Sequence, residues 1–180
     1  MNCWKTINIA RDYGSLRLIM FACSTVLLSF LFYYLIMSTI VPTTEFTQFG
    51  FFTFFSGLLS LVFAHKILHC IPIWLSGGRA KVKFGSNKAI PTMTIKLINP
   101  LSKNIYILAL LSPLVIITSA CAIGSFMRPD LLPYFSILTS VNFGLAFYDL
   151  TYASYLFRAP KKCFVGDYSE GIHILIKQAI

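Results

Sequence analysis

Two histidines four residues apart, His65 and His69, lie near the end of the apolar stretch Phe49–Pro72, in the order His65-Lys66-Ile67-Leu68-His69. On a helix, side chains at this spacing stand one above the other, so both imidazoles can reach a single metal ion. Ionisable groups inside a membrane segment are costly to keep there and mark a functional site by default. The metallopeptidase pattern H-E-x-x-H places a glutamate after the first histidine, as the base that takes a proton from water. In this chain that position is Lys66. The pattern is a two-histidine metal grip with an amine where the base belongs.

The elements that must position these residues are read from composition. The 180 residues are 57% hydrophobic and only 12% charged, with a mean hydropathy of +0.75. Soluble domains keep roughly a quarter of their residues charged. The apolar residues fall in four runs, 16–41, 49–72, 105–127 and 131–157, each near or above the roughly 20 residues that span a bilayer. The sequence therefore predicts an all-α membrane protein with four transmembrane helices, a single integral membrane domain over 1–180. The first run far exceeds a signal-peptide core and no A-x-A-like site follows it, so it reads as a retained helix.

Between the second and third runs lies the only long polar connection, with Arg79, Lys81, Lys83, Lys88, Lys96 and Lys103. Ala80–Phe84 and Thr92–Leu97 alternate in character, and Gly85-Ser86-Asn87-Lys88 supplies turn residues, which predicts a β-hairpin over about 79–97. The tail 158–180 reads as a short strand–turn–strand about Tyr168-Ser169-Glu170-Gly171, and residues 1–15 as a polar or interfacial N-terminus. Pro113 predicts a kink in the third helix, tolerable where neighbours satisfy the freed backbone.

The net charge of +9 is distributed over the N-terminus, the long connection and the tail, while the loops at 42–48 and 128–130 hold one basic residue between them. That asymmetry places both termini and the hairpin in the cytoplasm, in a multi-pass protein of the cell membrane. No basic-aromatic binding pattern accompanies the charge, so the partner it implies is the lipid bilayer and not nucleic acid. The five cysteines, Cys3, Cys23, Cys70, Cys121 and Cys163, form no C-x-x-C pair, so neither a disulfide framework nor a thiolate metal site is indicated. Cys70 adjoins His69 but points about 100° away on a helix and ranks below the histidines as a ligand.

In this topology the second and fourth helices run in the same direction. His65 and His69 then lie about 5–10 Å, and Asp149 about 12 Å, before the cytoplasmic ends of their helices at about 1.5 Å per residue. Asp149 is the one acidic residue in an apolar run, and two histidines with a carboxylate leave one position open on zinc. Asn142, two turns before Asp149 on the same face, can orient a ligand or a substrate backbone. Plainer roles exist for each residue. The histidines and Asn142 can be interhelical hydrogen-bonding groups, Asp149 can pair with Lys66, and Tyr148 and Tyr152 read as packing aromatics. His173 has no companion ligand near it in sequence and reads as a surface residue.

The order of features resembles a bacterial multi-pass membrane family of uncharacterised proteins described as "putative zincin peptidases". The stretches that carry the likeness are Ala64-His65-Lys66-Ile67-Leu68-His69, Leu111-Ser112-Pro113, Asn142 through Asp149-Leu150, and Phe157-Arg158-Ala159-Pro160 continuing to Gly166-Asp167. The arrangement is also similar to the core of site-2 intramembrane proteases. That similarity implies His65, His69 and Asp149 as zinc ligands, and a hairpin beside which an extended substrate strand could add. Lys66 departs from both patterns. The reading that follows is a degenerate membrane metallopeptidase homologue that binds a membrane protein or membrane-proximal peptide. The alternatives are an active zinc-dependent membrane peptidase with a substitute base, and a small ion- or proton-handling membrane protein. No inverted repeat supports the last.

Overall fold

The computed structural model describes residues 2–42, 45–78, 80–87, 90–161, 163–168 and 171–176. It is mostly helical, with a small antiparallel sheet. The order is β1 (Asn2–Ile7), α1 (Ile9–Tyr13), α2 (Ser15–Ile40), α3 (Phe51–Leu75), β2 (Ala80–Asn87), β3 (Ile90–Leu97), β4 (Leu101–Ser102), α4 (Lys103–Met127), a 3-10 turn (Pro129–Leu131), α5 (Leu132–Arg158), β5 (Cys163–Tyr168) and β6 (Gly171–Ile176). Among the described residues, four helices are long and apolar enough to cross a membrane, as the four apolar runs predict. Lys88 and the Ser169–Glu170 pair, assigned to turns from the sequence, lie outside the described residues.

Two compact units make up the chain, Met1–Ser15 with Lys66–Ser112 and Leu150–Ile180, and Leu16–His65 with Pro113–Asp149. In the second unit, α2 leaves Leu16, Met20, Leu27, Phe32 and Leu35 more than half exposed, a surface that lipid covers and water does not tolerate. Its hydroxyls are returned to its own backbone: Ser24 to Met20, Thr25 to Phe21 and Ser29 to Thr25. These three hydroxyls are thereby satisfied without water. Gly144 of α5 sits so close to α2 that a Cβ there would collide with Val26, a small-residue crossing of the membrane type.

The first unit contains structure that composition did not predict. Residues 2–7, read from sequence as a polar N-terminus, form an edge strand of a four-stranded sheet ordered β1-β6-β5-β4. The strand is short and half polar, and its partner β6 lies about 170 residues away, so no local pattern announces it. The sheet buries Ile7, Val165, Ile172 and Ile174 on one face. Gly171, with φ 153, is required where the chain enters β6, because a Cβ would meet the Ile7 carbonyl. The hairpin forms as a separate two-stranded sheet, longer than predicted: Gly85–Asn87 belongs to β2, with Asn87 opposite Ile90. Pro91 is accommodated because each strand of a two-stranded sheet has an edge that needs no ladder donor.

Lys103 is the second correction. Counted by sequence among the basic residues of the polar connection, it is buried at the start of α4. Its Nζ donates to the Ala159 carbonyl at 2.6 Å and approaches that of Phe157 at 3.4 Å. Helix α5 stops before Pro160, which disfavours helical conformation in the preceding residue, and the last carbonyls lose their intrahelical donors. Lys103 supplies the missing donor. Replacing Lys103 with Met should preserve the side-chain volume and cost about 1–3 kcal/mol through the unsatisfied carbonyls. A lowered melting temperature in detergent would check this, with Lys81→Met as the control.

Candidate metal centre

The site is assembled by the two prolines that interrupt α3 and α4. In an α-helix the N–H of residue i bonds the carbonyl of i−4, and proline has no N–H. Pro72 therefore releases the Leu68 carbonyl, and Pro113 releases that of Ala109. Each released oxygen is taken up from the other helix. His69 Nδ1 donates to Ala109 O at 2.8 Å, and the Ser112 hydroxyl donates to Leu68 O at 2.9 Å. Ser112 Oγ is also 3.0 Å from Ala109 O, but that oxygen already has its donor in His69. α3 continues to Leu75, three residues past the predicted stop at Pro72, because the hydrogen bond lost there is replaced.

The bond to Ala109 fixes the tautomer of His69. With the proton on Nδ1, a neutral imidazole carries its ligand lone pair on Nε2. His65 is set in the same way. Its Nδ1 lies 2.8 Å from Asn142 Oδ1, while the Asn142 amide nitrogen donates to Pro113 O at 3.3 Å and to Thr118 Oγ1 at 3.4 Å. The amide is thus oriented with its oxygen toward His65, which must donate from Nδ1. The Nε2 of His65 then faces Asp149 Oδ2 at 3.1 Å.

That last contact tests whether the donor set fits a metal. A lone pair on Nε2 opposite a carboxylate oxygen is stable only with a cation between them, a proton or a metal ion. Ligand atoms on a tetrahedral zinc ion, about 2.0–2.1 Å from it, stand about 3.3 Å apart. The His65–Asp149 separation is of that size. Both histidines are buried, at 1% and 6% exposure. Each imidazole is anchored through its other nitrogen, so the donor types on offer, two Nε2 atoms and one carboxylate, are those that zinc takes.

The structure puts Asp149 and Asn142 against His65, and it anchors His69 on the Ala109 carbonyl. Lys66 follows His65 directly and is half-buried. Tyr148 packs edge-on against Phe147, as expected of a packing aromatic. His173 is elsewhere, beside Cys3. Sequence reasoning missed the Ala109 carbonyl, Ser112 and Thr118. For the Ala109 carbonyl the signal was present in Pro113, since counting back four residues names the released oxygen, as it names that of Leu68 from Pro72.

Two imidazoles from one apolar helix and a carboxylate from another make a ligand set of the metallopeptidase type. The chain belongs to the family described as "Putative zincin peptidase", which matches residues 58–164, more than half of its length. No curated protein and no solved structure matches the chain.

Removing a ligand should have a larger effect than removing its support. Asp149→Ala should abolish stoichiometric zinc in detergent-purified protein, and Asn142→Leu should weaken zinc binding by about 10–100-fold. Metal content by elemental analysis and competition with a chromogenic chelator would measure both.

Proposed function

We propose that this chain is a zinc-binding membrane protein whose peptidase chemistry is impaired, and that it acts by holding a membrane protein or membrane-proximal peptide. Both termini and the β2–β3 hairpin face the cytoplasm of the cell in this reading, as the basic residues favour. The observation that carries it is Lys66, in the position of the motif base beside the buried His65.

A zinc ion held by His65, His69 and Asp149 supplies Lewis acidity toward a peptide carbonyl. Peptide hydrolysis also needs a group that accepts a proton from water. A lysine ammonium has three donors and no acceptor, so Lys66 does not offer that service in its charged form. Its charge also opposes that of a bound dication, unless the stem carries it away toward water. What survives is a buried, oriented site and an apolar helix surface, which together suit binding. The released-carbonyl network holds the site whether or not hydrolysis occurs.

The second reading, an active peptidase using another base, draws support from the complete ligand set. Zinc-loaded protein incubated with a fluorogenic peptide library and a membrane-anchored reporter distinguishes them. Wild type is expected to show no cleavage above that of Asp149→Ala. Lys66→Glu restores the motif and should raise cleavage by about 10²-fold or more, the usual contribution of a positioned base. Cleavage by wild type that Asp149→Ala abolishes would overturn the impaired reading and leave the metal site standing.

A further inference from the structure

Far from the candidate ligands in sequence, Cys3 on β1 and His173 on β6 form a second cluster. Cys3 Sγ lies 3.3 Å from His173 Nδ1, and Thr6 Oγ1 lies 3.5 Å from His173 Nε2. Cys3 and Thr6 are three residues apart, so in a regular strand they would face opposite sides of the sheet. They share a side because β1 carries a bulge. Cys3 pairs with Leu175 and Lys5 with the adjacent Ile174, leaving Trp4 as the extra residue. Bulges of this kind re-aim side chains and recur beside functional sites. On its other flank His173 is opposite Gly166 of β5, which has no side chain to cover the imidazole.

A thiol within hydrogen-bond reach of an imidazole whose second nitrogen is held by a hydroxyl is the arrangement of an activated nucleophile. We propose that Cys3 is a reactive thiol, activated by His173 and positioned by Thr6, that exchanges with low-molecular-weight disulfides of the glutathione class. The Cys3 S–H proton passes to His173 Nδ1, and the thiolate attacks one sulfur of the disulfide. A Cys3–S–S bond forms, the original S–S bond breaks, and the departing thiolate takes the proton back from the imidazolium. No external oxidant is needed beyond the disulfide itself.

The remaining cysteines are poor competitors. Cys70, Cys121 and Cys163 are buried, and burial pushes the Cys163 thiol up, against a smaller lowering by Lys103. Cys23 is exposed, but it lies in the apolar span α2, where a water-borne disulfide does not partition. Cys3 is exposed outside all four apolar spans. The proposal is independent of any metal at His65 and His69.

The test treats the full chain in detergent at pH 7 with glutathione disulfide, and follows the mixed disulfide on each cysteine by peptide mass spectrometry. Cys3 in the folded wild type should react about fivefold or more faster than in His173→Gln, because the imidazole beside it takes the thiol proton. Thr6→Val should lie between them. A comparison that needs no variant uses wild type unfolded in dodecyl sulfate, with neutral dipyridyl disulfide as the probe, where the folded protein should again be faster. Equal Cys3 rates in wild type and a folded His173→Gln, or in folded and unfolded wild type, would overturn the proposal. So would modification of Cys23 ahead of Cys3.

Discussion

The interaction on which the rest depends is the exchange of released carbonyls between α3 and α4. A proline inside a membrane helix leaves an acceptor with no donor, and hydrocarbon offers none in return. Here two such defects are placed so that each helix repairs the other. Leu68 O receives Ser112, and Ala109 O receives His69. The repair fixes the relative register of the helices at a turn from the histidine pair. It also spends one nitrogen of His69 on structure and leaves the other for chemistry. Stability and the proposed function therefore use the same hydrogen bond, and a change at either proline alters both.

His65 shows the same economy with a different partner. Asn142 acts as an adaptor: its nitrogen is tied to α4 through Pro113 O and Thr118, and its oxygen orients the imidazole. An asparagine suits this place because it carries a donor and an acceptor in fixed relation. An aspartate at 142 would present acceptors to the Pro113 carbonyl and add a negative charge near Asp149. The difference between the two carboxyl-type positions on α5 is then chemical: Asp149 faces the place where a cation belongs, and Asn142 faces the hydrogen that keeps the imidazole aligned.

Much of this was legible in the sequence, for physical reasons. A helix that crosses a bilayer must be apolar for roughly 20 residues, so the four long helices are written in composition. The histidine pair, Asp149 and Asn142 stand out because polar groups are scarce in such helices. The sheet was only half legible. The hairpin and the tail β5–β6 alternate over a few residues, whereas β1 is recognised only through a partner at the far end of the chain. Lys103 misled for a related reason. A lysine beside a polar connection reads as solvated, and only the proximity of the end of α5 turns it into a cap for orphaned carbonyls.

The same limit on local reading explains why His173 looked unremarkable. Its companions, Cys3 and Thr6, precede it by 170 and 167 residues. Even with β1 and β6 paired, the period-2 rule would have separated them, since a regular strand turns residues three apart to opposite faces. The bulge at Trp4 reverses that parity. An extra residue in an edge strand costs ladder bonds, and strand registry alone would favour its removal. Its retention here is what places a thiol and a hydroxyl on the two nitrogens of one imidazole. The arrangement at the candidate metal centre is built by the analogous route, from a break in regular backbone pairing at Pro72 and Pro113. In both places the side chains able to do chemistry are positioned where the backbone departs from its own period.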